Sequence, residues 1–410
     1  MSKLLLALVL IGWTSVAQAQ IKRELTPTPP MGWNSWNWFG KKDINEELIK
    51  KIIDTMVDEG LRDAGYNYVV IDGGWRDTKL GPNGELLPHP VKFPNGIKPL
   101  ADYAHARNMK IGVHVVPGTH DCGGDLVGAI GHEEVHMQQF VDWELDFIKL
   151  DQCKFVNDPC SDCPKTKLGW SEPNAEEVYR KWSKLLYEAD RDILFSISAY
   201  TYRDWYPEVC NMARTSLDIQ SRIHRGGAYF NPPAEIKMAH MSVMGIVEKN
   251  NAAAAHAGNG YWNDPDMLAT GVQGLSINEQ EAHFVLWCMM SSPLFLGNDP
   301  RVMSKHEKQL ILNKELIAIN QDPTEQGKII KREGNTQVWA KQLKNGQVAV
   351  MFLNLDTACE QEMTIDLKEL GFKGSVKVRD LLKGKDLGEY AKSLSATAET
   401  NQCKVMLVSK

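Results

Sequence analysis

The sequence predicts an α/β fold, a (β/α)8 TIM barrel followed by a C-terminal antiparallel β-sandwich, on three observations. Before residue 322, short apolar runs alternate with segments of helical period about eight times, the count of a closed barrel. Several of these runs break off at an aspartate: Tyr68 to Asp72, Phe147 to Asp151, and Ser216 to Asp218. Strands that surface at acids are what a parallel barrel with its chemistry at the strand ends would show. Beyond Asp322-Pro323 the helical period gives way to short alternating runs separated by Gly and Asn turns.

The elements follow in order. After a Pro-rich lead, Met31 to Trp36 is the first strand. Asp43 with Glu46 forms an N-cap and capping-box pair ahead of Leu48, Ile49, Ile52, Ile53, Met56 and Val57, which recur with helical period. Tyr66 to Ile71 is the second strand, 97–107 a helix, Lys110 to Val116 the third strand, 132–144 a helix, and Phe147 to Asp151 the fourth strand. Helix 176–189 and strand Ile193 to Ser198 come next, then a shorter strand from Asn211 to Asp218 and a helix over 232–248. Gly260 to Asp264 is a strand end, 278–290 a helix, Pro293 to Leu296 the last barrel strand and 307–319 the last barrel helix. Alternating runs at 337–343, 347–355, 362–367, 375–381 and 403–408 make the sandwich. The expected domains are a leader over 1–19, a catalytic barrel over 20–322 and the sandwich over 323–410.

That leader has the pattern of a secretory signal: Lys3, an apolar stretch from Leu4 to Trp13, and Ala17-Gln18-Ala19 before Gln20. Its apolar stretch is too short for a comfortable membrane span and no later run is longer, so the mature protein is expected to be exported, without a membrane span. Export makes the eight cysteines potential disulfide partners. Cys288 lies in an apolar helical run and is expected to be a buried thiol, whereas Cys359 and Cys403 could close the C-terminal module on itself. Cys160 and Cys163, in a polar loop, fit a staple better than a redox pair; their pairing, and that of Cys210, is left open. Composition is that of a globular chain, 43% hydrophobic and 24% charged. A net charge of −6 gives no reason to expect nucleic-acid binding. Oligomeric state is not legible.

Glycoside hydrolysis needs two carboxyl groups flanking the scissile bond. Asp72, Asp151, Asp218, Asp264 and Asp266 all stand at expected strand ends and could line one cavity, though the residues alone do not choose the pair. Asp151, with Lys149 two positions before it, is taken as the reactive carboxylate of a glycosidase. His132 to His136 satisfies H-E-x-x-H, a zinc-protease pattern. The main apolar stripe of that helix (Met137, Phe140, Val141, Leu145) lies opposite the two imidazoles, so they are expected to face solvent and no metal is assigned. There is no P-loop or dinucleotide fingerprint, and no cofactor is expected.

Several stretches resemble glycoside hydrolase family 27, the α-galactosidases and α-N-acetylgalactosaminidases: 28–36, Asp63-Ala64-Gly65-Tyr66, Phe93 to Ile97, Phe147 to Asp151, Trp262 to Leu268, Pro293-Leu294-Phe295, and Ala318 to Pro323. The resemblance implies a barrel with a C-terminal sandwich and a retaining mechanism, with Asp151 as nucleophile and Asp218 as acid/base. It places Trp33, Asp72, Lys149, Tyr202, Arg214, Asp266 and Met267 around the sugar, and a disulfide between Cys122 and Cys153. Departures stand at Gly73, where the family has a second acid, and at His114, where a Tyr is expected. They also stand at Ser198, which resembles the N-acetylgalactosaminidase version, and at Thr201. The implied activity is an exo-glycosidase on terminal α-D-galactosides, its partner a carbohydrate substrate. The competing expectations are α-N-acetylgalactosaminides, β-L-arabinopyranosides, isomaltose-type α-glucosides, and a non-catalytic carbohydrate-binding barrel.

Overall fold

The structure, a computed structural model, describes residues 21–122, 124–153, 172–224, 226–231 and 240–410, with the backbone alone for 172–174. The expected leader, and Cys160 and Cys163, lie outside the described residues.

Eight strands form one parallel sheet: β1 (Met31–Asn34), β2 (Tyr68–Ile71), β3 (Lys110–Val115), β4 (Phe147–Asp151), β5 (Leu194–Ser198), β6 (Met212–Arg214), β7 (Trp262–Asp264) and β8 (Leu294–Leu296). Each pairs with its successor from β1 to β7, and β8 returns to β1 with Met31 opposite Leu294. The ring closes just past β7, where Leu268 N–H donates to Phe295 O at 2.7 Å and Gly297 N–H to Leu268 O at 3.0 Å. Helices α1 (Glu46–Asp58), α2 (Lys98–His105), α3 (Glu133–Asp142), α4 (Glu172–Glu188), α5 (Val243–Ala252) and α6 (Ile277–Met289) follow the strands, and α7 (Lys305–Ile311) and α8 (Lys314–Asn320) end the barrel.

Side chains alternate along each strand, and this parity sorts the barrel into two cores. Ile148, Leu150, Val69, Ile71 and Trp33 pack under the helices. Tyr68, Val70, Phe147, Leu194, Met212 and Phe295 fill the interior. The rings of Tyr68, Phe147 and Phe295 meet at centroid distances of 5.5–6.4 Å and make a floor. Gly32 and Gly112 give it room: a Cβ at either would lie 2.4 Å from a neighbouring strand's carbonyl oxygen, against the Tyr68 or Phe147 side chain. On β4, alternation then puts Lys149 and Asp151 on the same side as Phe147, above this floor.

Several boundaries differ from expectation. The first long helix is capped by Asn45, whose side chain accepts from Leu48 N–H, so the expected Asp43 pair is not its cap. The sixth strand ends at Arg214; the chain bends at Ser216-Leu217, and Asp218-Ile219 instead pairs with His240-Met241. Helix α5 begins at Val243, behind a Ser242 cap; of the rest of its expected span, His240-Met241 is strand and 232–239 lies outside the described residues. The last expected helix is two, because Asn313 accepts from Glu315 and Leu316 N–H and starts a new one. His136 is fully buried instead of facing solvent. The loop after β2 folds over α3, so His136 Nε2 meets Gly84 O at 2.9 Å and burial pushes the imidazole down to about 4.

Eight strands follow the barrel: β9 (Lys328–Glu333), β10 (Thr336–Gln342), β11 (Val348–Asn354), β12 (Gln361–Asp366), β13 (Val376–Asp380), β14 (Lys385–Tyr390), β15 (Ser393–Ala398) and β16 (Cys403–Ser409). Six form an antiparallel sheet in the order β9-β10-β11-β16-β13-β14, and β12 pairs with β15. Between them lies a core of Val350, Phe352, Met363, Ile365, Leu394 and Val408. The alternate residues of β11, Ala349, Met351 and Leu353, join the barrel's core, which explains its unbroken apolar run. Strands β9, β14 and β15 were not expected: their polar faces are exposed and blur the alternation. Cys359 and Cys403 are not joined; one is exposed on the turn after β11, the other buried at the start of β16. Cys288 and Cys210 are buried thiols.

Candidate active site

The polar layer above the floor opens into a cavity of about 590 Å³, solvent at its mouth included. It is lined by Trp36, Asp72, Gly73, His114, Lys149, Asp151, Tyr200, Arg214, Asp218, Asp266 and Met267 among others. Each reactive group comes from the C-terminal end of a strand or from the loop just beyond, where barrel sites form.

Lys149 is the centre of one cluster. Its ammonium lies 2.8 Å from Asp72 Oδ2 and 3.4 Å from Asp151 Oδ2. Register places His114 beside Lys149, and its Nε2 is 3.7 Å from Asp151 Oδ2 and 4.0 Å from Asp72 Oδ1. Asp72 is fixed further by Asn34 Nδ2 at 2.9 Å and by its own backbone N–H, which donates to Ser35 Oγ. Burial by itself would raise the Asp151 carboxyl. Lys149, then His114 and Arg214, outweigh it and hold the group well below the usual carboxylate range. Asp72 is likewise lowered against its burial, chiefly by Lys149, while Lys149 is held above its ordinary value by the two acids.

Arg214 organises the second cluster. The buried guanidinium lies 3.0 Å from Asp218 Oδ1 and 3.1 Å from Asp266 Oδ2, and donates to Ser216 O. Asp218 is about a third exposed, open to the cavity, whereas Asp266 is buried. Asp266 takes a φ of 83° and accepts Ile219 N–H at 2.8 Å, which pins the segment carrying Asp218. Burial pushes Asp266 up to about 6, with Arg214 opposing and Asp218 and Asp264 adding to the rise. Asp264, opposite Arg214 in register, accepts Asp266 N–H.

The structure therefore brings together Asp72, His114, Lys149, Asp151, Arg214, Asp218, Asp266 and Met267, and the Cys122–Cys153 disulfide sits on the cavity wall. Trp33 does not join them. It is in register with Val69, so parity turns it under the helices, where its indole donates to Asn298 O; Trp36, two residues past the strand, lines the cavity instead. Tyr202 stacks on His256 at 4.7 Å, outside the lining, and Ser198 is buried opposite Asp151 in register. Tyr200 was missed. Its hydroxyl donates to Asp151 Oδ1 at 3.3 Å from a backbone φ of 35° that no sequence signal announces. His114, Asp151 and Cys153 are the described residues close enough to share a metal ion, but the Cys153 sulfur is committed to the disulfide.

Residues 28–322 match the family described as alpha galactosidase A, and residues 333–408 match the alpha galactosidase C-terminal beta sandwich domain. Alpha-galactosidase 2 of Arabidopsis thaliana is 35% identical over 396 residues, covering 94% of this chain and 90% of that protein. The alpha-galactosidase of Cyamopsis tetragonoloba is 33% identical over 390 residues, 94% of this chain and 87% of that one. Among solved structures, alpha-galactosidase I from Mortierella vinacea superposes with a TM-score of 0.84 at 28% identity, covering 94% of this chain and 98% of its own.

Proposed function

The chain belongs to the α-galactosidase family of glycoside hydrolases, family 27, and from that premise we propose that it releases terminal α-D-galactosyl residues by double displacement on Asp151. One observation carries the assignment of the nucleophile: Asp151 is buried at a barrel strand end, held ionised by Lys149, and faces the same cavity as Asp218.

In the first displacement Asp151 attacks the anomeric carbon while Asp218 gives its proton to the departing glycosidic oxygen, leaving a galactosyl ester on Asp151. In the second, water adds to that carbon, its proton passes to Asp218, and the ester bond breaks with its electron pair returning to Asp151. Asp218 suits the proton-transfer role by being the acid of the pair that opens to solvent. Asp72, Lys149, Arg214, Asp266 and Met267 are placed to hold the sugar, and His114 and the face of Trp36 to shape the wall. The catalytic unit is taken as 20–322 and the sandwich as 323–410. Export after cleavage near Ala19 is part of the same proposal, supported by the Cys122–Cys153 disulfide. Among the described residues no helix is long and apolar enough to cross a membrane.

Hydrolysis of p-nitrophenyl α-galactoside, with the first-formed anomer identified by NMR, tests this. Retention is expected, and Asp151→Ala should cut kcat by about four orders of magnitude or more. No turnover on α-galactosides or on any of the competing glycosides named above would refute the mechanism, and α-galactoside activity far below that on one of those competing glycosides would refute the choice of sugar.

A further inference from the structure

We propose that Tyr200 is a catalytic residue of the second displacement, its phenol donating to the Asp151 carboxylate as that group's charge is restored. The assignment rests on the function proposed above and on four observations.

The two oxygens of Asp151 have different surroundings. Oδ2 faces the Lys149 ammonium and His114. Oδ1 faces Tyr200 Oη at 3.3 Å and Cys153 Sγ at 3.5 Å, and the sulfur, bound in the disulfide, has no proton to give. Among the described residues, then, Tyr200 is the side chain that donates to this oxygen. Its phenol keeps that proton: the charge of Asp151 first, then burial, then the charge of Asp218 hold its pKa far above the ordinary value. The hydroxyl thus feels both acids of the pair, and Tyr200 lines the same cavity as they do. Finally, Tyr200 sits in the left-handed region, a conformation that costs free energy for a residue with a side chain and persists where surrounding structure enforces it.

The consequence follows from when the hydrogen bond is strong. An anionic carboxylate is a better acceptor than an ester, and charge-assisted hydrogen bonds are about twice as strong as neutral ones. In the first displacement Asp151 loses its charge, so the phenol's hold weakens along the way and gives that step no help. In the second, water attacks the anomeric carbon, the C–O bond to Asp151 breaks, and the electron pair returns to the carboxylate while the water proton passes to Asp218. The Tyr200 hydrogen bond strengthens along this coordinate, so it lowers this barrier selectively.

The test is Tyr200→Phe, which keeps the ring and the backbone. On p-nitrophenyl α-galactoside, kcat should fall about 10- to 100-fold. KM should fall with it, leaving kcat/KM within about threefold. Stopped-flow mixing should show a burst of about one p-nitrophenol per active site, because the galactosyl-enzyme now accumulates. The galactosyl-peptide containing Asp151 should be recoverable by acid quench and mass spectrometry. A merely structural role would lower kcat/KM together with kcat and give no larger burst than the wild type; that result, or unchanged kcat, overturns the assignment. Tyr200→His, which retains a donor, should recover part of kcat and shrink the burst; failure of both variants to differ from one another also overturns it. Lack of any glycoside turnover by the wild type would instead refute the function proposed above, and this assignment with it.

Discussion

Lys149→Met tests the electrostatic core of the site most directly. The side chain is similar in length, but the cation between Asp72 and Asp151 is gone. At 3.4 Å and an effective dielectric of about 20, the lost attraction to Asp151 is about 5 kcal/mol. Each pKa unit is about 1.4 kcal/mol, so the Asp151 carboxyl should rise by about three and a half units at most, with His114 and Arg214 still opposing its burial. In the wild type the folded value lies below the unfolded one. The stability this contributes is therefore fully present above about pH 4 and lost as pH falls through the folded value. Removing one member of a buried ion pair costs about 3–5 kcal/mol, and that gap between wild type and variant should be widest at neutral pH. The assay is kcat/KM for p-nitrophenyl α-galactoside from pH 3 to 8, with chemical denaturation alongside. The acidic limb of the profile should move up by about 2–3 units, into the assayed range, so that the variant loses activity as pH falls from about 5 to 3 where the wild type does not. An unmoved limb, with less than about 1 kcal/mol lost in stability, would show that Lys149 does not govern the charge of Asp151.

Two further perturbations probe the selectivity of the pocket and the joint between modules. A Cβ at Gly73 would lie 3.3 Å from the Trp36 ring, so Gly73→Asp fits after a shift of a few tenths of an ångström and puts a carboxylate on the wall. It should raise kcat/KM on α-galactosides relative to the other glycosides by about 10- to 200-fold; an unchanged ratio across the panel contradicts that. Lys341, buried on β10, donates to Ser291 Oγ at 2.6 Å, to Asp322 O at 3.0 Å and to Ile319 O, tying the sandwich to the barrel. Burial pushes its ammonium down to about 8. Between about pH 8 and 10.5 the unfolded chain therefore binds more protons, and wild-type stability should gain up to about 3 kcal/mol as pH rises across that window. Lys341→Met should lack this gain in urea unfolding at pH 8 and 10, and an equal rise in both proteins would exclude the buried-lysine account.

What the sequence made legible, and what it hid, divides along the range of the interactions involved. Strand β4 could be read to the residue because its information is local: apolar Phe147, Ile148 and Leu150 frame a lysine and an acid two apart, and an i, i+2 spacing puts both on one face. The ammonium of Lys149 could thus be placed near Asp151 from spacing alone, but its closer partner, Asp72, lies two strands away around the barrel. Trp33 shows the cost of lacking register. It has the chemistry of a sugar platform and stands near other pocket residues in sequence, yet pairing with Val69 turns it to the helix layer. Asp218 shows that reading a strand to its acid succeeds for a reason other than the one assumed. Strand β6 stops at Arg214, and it is that guanidinium, with Asp266 accepting Ile219 N–H, that carries the acid back to the cavity. The same holds for Tyr200, whose place is set by a left-handed backbone that only the folded loop imposes. Acids at strand ends therefore mark where the cavity forms, because strand ends are local features. The state and partner of each acid depend on cations and donors brought in by other strands, so single substitutions at Lys149 and Tyr200, which leave both carboxylates in place, are the sharper probes of mechanism.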